Sequence, residues 1–530
     1  MSEHNPSRQL LRILALMKTK NLNRLNKAKR QFANQHKIGM ISNADLLRLY
    51  RSLLKRKKIT ADDALASLLQ KRKIRTLSGV APIAVLTKPY PCPGKCIYCP
   101  TEKDMPKSYL SNEPAVMRAI ATKFDPFKQV QARIRALSDN GHETDKLELI
   151  VMGGTWSCLP RPYQNRFIKR CFDGANFKIS KNLLEAQKRN ESAKHRIIGL
   201  TLETRPDYVN ENEIKYWRKL GATKVELGVQ SLDNQVLKLS GRGHGAEETI
   251  RATKLFKQAG FKVAYHLMPN LPGATPTGDL TGFKKLFTNE NFQPDMIKIY
   301  PTVVTKNSKL YQKWKNNNYR PYNHKQLFNL LIKMKLAVPE YVRIIRLIRD
   351  IPKESISAGN IISNLREDLK LELQKQNKHC RCIRCREARE EIKGANHAKL
   401  FITKYTASGA EELFLQYASR DKHKLFAFLR LRLPQSKNNF LPELNGAAMI
   451  REVHVYGRLM PFNKRGKSVQ HIGLGTKLMR KAEEIAIKNG FNKIAVISGI
   501  GVRGYYRKFG YELQGTYMIK TLSTKRLAKI

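Results

Sequence analysis

Three cysteines lie within eight positions of the sequence, in the stretch KPYPCPGKCIYCP at 88–100. Cys92, Cys96 and Cys99 have the spacing C-x3-C-x2-C, with prolines on both sides. A four-iron cluster normally takes four cysteines, so three thiolates this close can hold one cluster and leave one iron open to a small ligand. Zinc is the competing interpretation, but structural zinc needs a fourth protein ligand, and none follows nearby. The spacing therefore favours an iron–sulfur cluster.

A second group of cysteines, Cys380, Cys382 and Cys385, lies in HCRCIRC with the spacing C-x-C-x2-C. The two groups together hold six of the eight cysteines of the chain. In a reducing compartment such grouping indicates metal ligation rather than disulfide bonds. The alternative for the second group is three surface thiols without a metal.

The chain of 530 residues carries 99 Lys and Arg against 43 Asp and Glu, a formal net charge of +56. Such an excess repels itself unless a polyanion binds it, which predicts a nucleic-acid partner. A solvated lysine-rich surface is the alternative, and an acidic membrane surface is a lesser one. No apolar run reaches the roughly 20 residues of a membrane span, and no signal peptide is recognisable. We therefore expect a cytoplasmic protein with no membrane partner.

Short apolar segments alternate with amphipathic helical patterns from residue 79 onward. Five of the segments have the character of strands: LELIVMGGT, IIGLTLET, KVELGVQS, KVAYHLM and MIKIYPT. Polar or turn residues stand at their ends, namely Thr155, Glu203, Gln230, His266 and Tyr300. Alternating strands and helices predict a parallel sheet, and ligands gather at the carboxyl ends of its strands. Five or six such units fit an open or closed α/β barrel.

Changes in composition divide the chain into four predicted parts. Residues 1–75 are a helical arm, because up to residue 80 the chain has nineteen Lys and Arg against four Asp and Glu. This arm is expected to bind nucleic-acid phosphates, and a merely solvated helical extension is the alternative. The barrel occupies 76–340, a charged linker with the second cysteine group occupies 341–398, and a separate α/β domain occupies 399–530.

The first cysteine group, placed before a βα barrel, resembles that of the radical S-adenosylmethionine (SAM) superfamily. The resemblance implies that the open iron binds SAM and that one electron cleaves it to a 5′-deoxyadenosyl radical. MGGT at 152–155 resembles the glycine motif that receives the methionine end, which implicates Gly153, Gly154 and Thr155. Further candidates for holding SAM stand in TLETRPD and LGVQS: Glu203, Arg205 and Gln230. The alternative for each is a barrel-end hydrogen bond.

A glycine motif, QHIGLGTKLM at 470–479, runs straight into a predicted helix. Its form, with Gln470, Gly473 and Gly475, suits a pyrophosphate at a helix N-terminus. Its context resembles the Gcn5-related acetyltransferases, which bind acetyl-CoA in this way. VRGYYRKFGYE at 502–512 resembles their C-terminal segment, where a tyrosine lies near the thioester. Tyr505 and Tyr506 can instead be core residues, but two adjacent tyrosines cannot both face the same core.

The combination of the two halves resembles the catalytic subunits of Elongator, a family of tRNA uridine acetyltransferases. The resemblance begins near residue 73 and includes, in order, RTLSGVAPIAVLTKPYPCP, EPAVMRAIATKFDPF, CRCIRCREAR and LPELNGAAMIREVHVYG. It implies an α/β fold in which a partial radical SAM barrel precedes an acetyltransferase domain, with a basic helical arm in front. The implied reaction removes hydrogen from the methyl group of acetyl-CoA, adds the carbon to C5 of the wobble uridine, and leaves a carboxymethyl group. The implied partners are the tRNA anticodon stem-loop, an electron donor, and Elongator-type subunits or a second copy.

The family resemblance also assigns further residues. It implies contacts of the acetyl-CoA with one barrel lysine and with two acetyltransferase segments: Lys146, Glu452, Val453, His454, Val455, Leu474, Gly475, Thr476, Lys477 and Tyr506. It implies zinc at the second cysteine group, and the fourth ligand stays open among His379, His397, Cys158 and Cys171. Two rival functions are a protein lysine acetyltransferase, which leaves the first cysteine group without a role, and an RNA-binding protein without catalysis.

Overall fold

The computed structural model describes residues 21–35, 37, 39–70, 79–362, 364–388, 394–456 and 473–523. Gln470 and the first twenty residues of the predicted arm lie outside these residues. Within the described part of the chain, no helix combines the length and the apolar character that crossing a membrane requires.

Three helices precede the barrel: α1 (Leu22–Gln35), α2 (Asn43–Lys55) and α3 (Asp63–Leu69). They bury a small apolar core of their own, which includes Leu25, Leu46 and Tyr50. Arg51 donates a hydrogen bond of 2.5 Å to the carbonyl of Ser138, so this helical group is held against the outside of the barrel. The described part of the arm is therefore helical, as the sequence predicted.

Seven strands form a parallel sheet whose spatial order is the order of the chain. They are β1 (Ala81–Leu86), β2 (Lys146–Met152), β3 (Arg196–Thr204), β4 (Lys224–Gln230), β5 (Lys262–Leu267), β6 (Met296–Ile299) and β7 (Arg343–Arg346). The two outer strands do not pair with each other, so the barrel is open. Along β2, buried residues alternate with partly exposed ones, because one face packs against helices and the other faces the lumen. The predicted α/β barrel is confirmed and is the open one of the two forms that the strand pattern allowed, and β1 and β7 add to the five predicted strands.

Helices connect the barrel strands, as parallel neighbours require. They are α4 (Pro114–Ala121), α5 (Pro126–Asp139), α6 (Arg161–Asn176), α7 (Leu183–Asn190), α8 (Glu211–Leu220), α9 (Asn234–Leu239), α10 (Ala246–Gln258), α11 (Pro276–Thr288), α12 (Leu310–Lys315) and α13 (His324–Ala337). Their ends follow local signals: the side chain of Asn210 caps α8, and Gly221 ends it in the left-handed conformation. Two short helices follow in the linker, α14 (Leu365–Lys375) and α15 (Ile383–Arg386).

The second domain contains a mixed sheet of seven strands. In chain order its elements are β8 (Lys399–Thr406), β9 (Ala410–Ala418), β10 (Leu425–Pro434), β11 (Ala447–Val455), α16 (Leu474–Lys488), β12 (Lys493–Val496), α17 (Arg503–Arg507), β13 (Glu512–Gln514) and β14 (Tyr517–Thr521). The spatial order is β13-β14-β12-β11-β10-β9-β8, and only β11 and β12 are parallel. The helix α16 is therefore the crossover between these two central strands, and its first turn, where the glycine motif ends, follows the carboxyl end of β11.

A cluster of buried charges joins the barrel to the second sheet. It consists of two barrel residues and four sheet residues, each at most 3% exposed: Lys257, Asp295, Glu412, Arg430, Arg432 and Arg451. Arg451 Nη1 lies 3.0 Å from Asp295 Oδ1 and 2.9 Å from Glu412 Oε2. Burial alone would raise the pKa of Asp295, but the charges of Arg451 and its neighbours hold that pKa far below its usual range. The domain interface is therefore ionic as well as apolar.

We predict that Asp295→Asn destabilises the protein, because it leaves the buried guanidinium of Arg451 without one of its two carboxylates. Removing one partner of a buried ion pair costs about 3–5 kcal/mol. Guanidinium titration of the full chain should show a loss of this size in the free energy of unfolding. The exposed Asp104→Asn is the matched control and should change it little, whereas equal effects of the two variants would contradict a structural role for the cluster.

Candidate active site

One cavity of about 1810 Å³ runs through the barrel to the second sheet. Its upper end is the cysteine loop at the carboxyl ends of the barrel strands, and its lower end is formed by β11 and the first turn of α16. Most of the site residues predicted from both halves of the sequence line it: Cys92, Cys96, Cys99, Lys146, Gly154, Thr155, Glu203, Arg205, Gln230, Glu452, Val453, His454, Val455, Gly473, Gly475, Thr476, Tyr505 and Tyr506. The fold therefore places the two predicted half-sites on one continuous space.

The three cysteines of the first group converge at the upper end of the cavity. Arg242 Nη1 donates to Cys96 Sγ over 3.5 Å. The hydrogen bond from Cys99 lowers the pKa of the Cys96 thiol to about 4, with further help from the charge of Arg242 and against burial. The three sulfurs do not all lie within 4.8 Å of one another, in contrast to the second cysteine group. The hydrogen bond to Cys96 and burial raise the pKa of the Cys99 thiol well above its ordinary value, so of these two sulfurs only that of Cys96 is held as a thiolate before a metal binds. Sulfurs spread around a cavity end fit a multi-iron cluster better than a single ion.

The glycine turn after β2 depends on the absence of a side chain. Gly153 has φ +135°, and a Cβ there would lie 2.0 Å from Thr87 Oγ1. Gly153 therefore packs against the end of β1 and does not itself line the cavity, whereas Gly154 and Thr155 do. Thr155 Oγ1 lies 3.9 Å from Cys92 Sγ. The turn thus presents backbone and one hydroxyl to the space beside the cysteine loop.

The lumen of the barrel holds a network of buried ionisable side chains. Tyr109 donates its hydroxyl to Glu203 Oε2 at 3.0 Å, and His266 Nε2 lies 3.0 Å from Glu226 Oε2. Lys298 forms a close ion pair with Glu226 and lies 4.0 Å from Glu203 Oε1. Burial raises the pKa of Glu203 to about 7, although the charge of Lys298 opposes the rise. Burial would also raise the pKa of Glu226, but Lys298 and His266 hold it well below its ordinary value.

Two further predicted residues, Arg205 and Gln230, stand beside this network. Arg205 Nε donates to Asp207 Oδ1 at 3.0 Å, and its Nη2 donates to the carbonyl of Arg242 at 2.7 Å. Gln230 adopts φ +69°, a left-handed conformation that costs a non-glycine residue energy. Its Oε1 is buried and has no hydrogen-bond partner among the described residues. A strained residue with an unsatisfied acceptor on a cavity wall is suited to a polar ligand.

The lower end of the cavity is built by both domains. Lys146 begins β2, and burial lowers its pKa. Opposite it, Glu452 of β11 accepts from Arg430 Nε at 2.9 Å and lies 3.8 Å from Lys262 Nζ. Gly473, Gly475 and Thr476 line the cavity in the first turn of α16, so free N–H groups of this helix lie at its wall. Leu474 is buried in the core and Lys477 does not line the cavity.

The adjacent tyrosines of α17 both reach this lower end. Tyr506 is 8% exposed and belongs to the core of the second domain, and Tyr505 packs against the same core, with the two ring centroids 5.2 Å apart. The expectation that adjacent tyrosines cannot both face one core is therefore wrong, because successive residues of a helix are rotated by only about 100°. Burial raises the pKa of Tyr505 to about 12 and that of Tyr506 further. Both hydroxyls therefore keep their protons at neutral pH and can donate hydrogen bonds into the cavity.

The second cysteine group brings its three sulfurs within 4.8 Å of one another. Lys335 Nζ lies 3.9 Å from Cys385 Sγ. Among the described residues, no fourth cysteine or histidine completes the group at the same distance. The four sequence candidates lie elsewhere or are otherwise engaged: His379 packs against the ring of His423, His397 ends a short 3-10 turn, Cys158 neighbours Cys92, and Cys171 is buried in α6.

Several residues of the cavity were not predicted from the sequence, among them Glu226, Lys298, Arg242 and Tyr109, whereas His266 was named there as a polar strand end. A signal for Glu226 and Lys298 was present, because polar residues inside otherwise apolar strands have to face the lumen of a barrel. Arg242 and Tyr109 come from loops, and no local pattern in the sequence indicates where their side chains point.

Comparison with known proteins agrees with this architecture. The Radical SAM superfamily model matches residues 90–277, the Radical_SAM C-terminal domain model matches 294–375, and the Acetyltransferase (GNAT) family model matches 399–511. The tRNA uridine(34) acetyltransferase of Methanocaldococcus infernus is 46% identical over 92% of each chain. Elongator complex protein 3 of Homo sapiens is 40% identical over 86% of each chain.

Similarity extends to a solved structure. The archaeal Methanocaldococcus infernus Elp3 with N-terminus deletion (1-46) superposes with a TM-score of 0.73 and 42% identity. The match covers 84% of this chain and 99% of that one. With a radical SAM barrel and a GNAT domain opening on one cavity, the chain belongs to the family of the tRNA uridine(34) acetyltransferases and Elongator complex protein 3.

Proposed function

We propose that this protein transfers an acetyl-CoA-derived carboxymethyl group to carbon 5 of the wobble uridine in a tRNA anticodon. The observation that carries the proposal is the single cavity that joins the cysteine loop to the acetyltransferase residues. Acetyl-CoA at the lower end, SAM at the upper end and a base in the barrel would share this one space. A protein lysine acetyltransferase would need neither the barrel lumen nor the cysteine loop, so the continuous cavity favours the tRNA reaction.

The upper half-site has residues that fit an iron–sulfur cluster and SAM. Together these groups supply, when bound, a primary carbon radical able to remove hydrogen from an unactivated methyl group. Cys92, Cys96 and Cys99 would hold the cluster. The SAM would be held by backbone and side chains at the strand ends, namely Gly154, Thr155, Glu203, Arg205 and Gln230, while Gly153 would shape the turn without contacting the ligand. The unsatisfied Oε1 of Gln230 is suited to accept a hydrogen bond from the bound ligand.

The lower half-site fits acetyl-CoA. The first turn of α16, including Gly473 and Gly475, would bind the pyrophosphate through free N–H groups, with Gln470, Leu474, Thr476 and Lys477 as the remaining motif residues. The strand segment from Glu452 to Val455 would align the pantetheine arm. Lys146 and the hydroxyls of Tyr505 and Tyr506 would orient the thioester carbonyl toward the lumen, and they can assist the final hydrolysis by donating hydrogen bonds to its oxygen.

Charge and composition support tRNA as the partner. The net charge of +56 attracts a polyanion, and the helical arm within residues 1–75 adds a basic extension beside the barrel. A base must leave its stack to enter the cavity, as enzymes that modify bases require. We further propose the domain division 1–75, 76–340, 341–398 and 399–530, with a zinc ion at Cys380, Cys382 and Cys385 in the linker that takes its fourth ligand from outside the described cysteines and histidines of this group. Three thiols that converge without disulfide partners support the zinc site.

We predict that Cys96→Ala abolishes both iron loading and wobble-uridine carboxymethylation. The purified full chain would react anaerobically with tRNA, SAM, acetyl-CoA and a chemical reductant, and nucleosides would be analysed by mass spectrometry. The control is Cys171→Ala, which removes a buried thiol outside the cavity and should retain iron and product. Carboxymethyluridine formed at the wild-type rate by the Cys96 variant would refute the proposal.

We predict that the protein binds one zinc ion per chain, and that Cys382→Ala removes it. Elemental analysis of dialysed protein should show loss of zinc in this variant, with iron retained. Cys96→Ala should show the converse, because its thiol belongs to the other metal site. Equal zinc content in wild type and Cys382→Ala would contradict a zinc site in the linker.

We predict that Glu203 makes the free energy of unfolding depend on pH. Its pKa rises from 4.5 in the unfolded chain to about 7 in the folded protein, so the unfolded chain loses the proton first. The stabilisation by protonated Glu203 is fully present below about pH 4.5 and is lost as the pH rises through 7. Over this range the free energy of unfolding should fall by about 3 kcal/mol. Unfolding in urea at a series of pH values should show this decrease in wild type and in the exposed control Glu290→Gln, but not in Glu203→Gln. If the free energy of unfolding changes with pH in parallel for all three proteins, the raised pKa of Glu203 is contradicted.

A further inference from the structure

The cysteine loop is a thin wall between the cavity and the outside. Cys92, Gly94 and Cys96 line the cavity, whereas Pro91, Pro93 and Lys95, which alternate with them, are exposed. Only the backbone of this loop therefore separates the sulfurs from solvent. Since electron transfer slows steeply with distance, this wall is the shortest route by which an electron can enter the site from a partner protein.

The outer side of this wall carries exposed basic and apolar side chains. Lys88 and Lys95 are exposed, and Tyr90 between them is 39% exposed. The end of α9 lies beside the loop, because Ile97 donates its N–H to the carbonyl of Ser240 at 3.0 Å. It adds the exposed Lys238 and Leu239, the latter 44% exposed. We call Lys88, Tyr90, Lys95, Lys238 and Leu239 the cysteine-loop face.

The cysteine-loop face has three lysines and no acidic residue. Its two segments, 88–100 and 234–246, contain no aspartate or glutamate, and the exposed Asp233 and Glu247 directly flank the second segment. Lysines beside exposed apolar residues are suited to a transient acidic partner, because the charges steer the encounter and the apolar residues exclude water at the contact. Complexes of electron-transfer proteins bury little surface, less than about 1,200 Å², which a face of this size can supply.

From this placement we propose that the cysteine-loop face docks a small acidic one-electron carrier protein. The inference rests on the proposed function, which requires one electron per reaction at the cysteine site. In the transfer the reduced carrier loses one electron and the iron–sulfur group gains it, and no bond is made or broken.

RNA is the competing occupant of these lysines, and the geometry disfavours it. The modified base has to enter the cavity, so the RNA backbone should lie where cations line the cavity itself, such as Arg118, Arg346 and Lys353. The cysteine-loop face lies on the other side of the wall. A polynucleotide bound there would hold its base away from the lumen.

The test is the triple variant Lys88→Glu, Lys95→Glu, Lys238→Glu, made in the full chain. The probe is an acidic bacterial flavodoxin, whose affinity is measured by biosensor at several salt concentrations. We expect at least about tenfold weaker binding than wild type at low salt, with a flatter salt dependence. Flavodoxin-driven bleaching of the iron–sulfur absorption should slow in the same ratio, whereas bleaching by dithionite, which needs no docking, should keep its rate.

The matched control is a second triple variant that reverses three exposed lysines away from this face: Lys181→Glu before α7, Lys188→Glu in α7 and Lys370→Glu in α14. This control should bind flavodoxin with the affinity of the wild type. Flavodoxin affinity that is equal in the two triple variants overturns the proposal, and so does a selective loss of tRNA affinity in the first. Absence of iron from the wild-type protein would instead refute the proposed function. The flavodoxin affinity can still be measured in that case, because binding needs no cluster, and it still tests whether the cysteine-loop face is the docking site. The uncharged variant Tyr90→Ala, Leu239→Ala should weaken binding without changing the salt dependence.

Discussion

The arrangement of the whole protein depends on the buried ionic cluster between the barrel and the second sheet. A guanidinium or carboxylate without water is tolerated only when partners surround it, and here each partner comes from a fixed position in one of two sheets. Arg451 contacts Asp295 of the barrel and Glu412 of its own sheet at once, so any sliding between the domains would break one of the two contacts. Such a cluster defines one docking geometry much more narrowly than an apolar interface does.

Close backbone contact reinforces this constraint. The turn after β12 packs directly on β3, and a Cβ on Gly499 would lie 2.0 Å from the carbonyl oxygen of Ile198. Only glycine allows the acetyltransferase sheet to come this near to the barrel. The result is that the lower mouth of the barrel opens onto β11 and α16 rather than onto solvent. Neither domain alone encloses the cavity, so the shared active site is a property of the interface.

The sequence alone allowed us to predict the strands and helices that have strong local signals, together with the polar residues at their ends. The five strands β2 to β6 and the helix α16 were predicted because apolar periodicity, glycines and helix ends lie within a few residues of one another. β7 was missed, since its four residues begin and end with arginine. The two cysteine groups could be found from spacing, but the interface could not, because Asp295 and Arg451 are 156 positions apart. A motif also identifies a run of consecutive residues and does not tell which of them face the ligand. In the first turn of α16, Gly475 and Thr476 line the cavity while Leu474 is buried in the core, because successive helical residues are rotated by about 100°.

The distribution of charge separates a base from its backbone. The protein carries a large positive excess, but three of the lysines in the barrel lumen are paired with carboxylates: Lys224 with Glu148, Lys298 with Glu226, and Lys262 with Glu452. Paired ions present little net field, whereas cations in excess over carboxylates attract phosphates. A phosphate backbone therefore gains more from the cations outside these pairs than from the paired lysines of the lumen. A uracil ring is uncharged and can leave the stack for the lumen without losing a counterion.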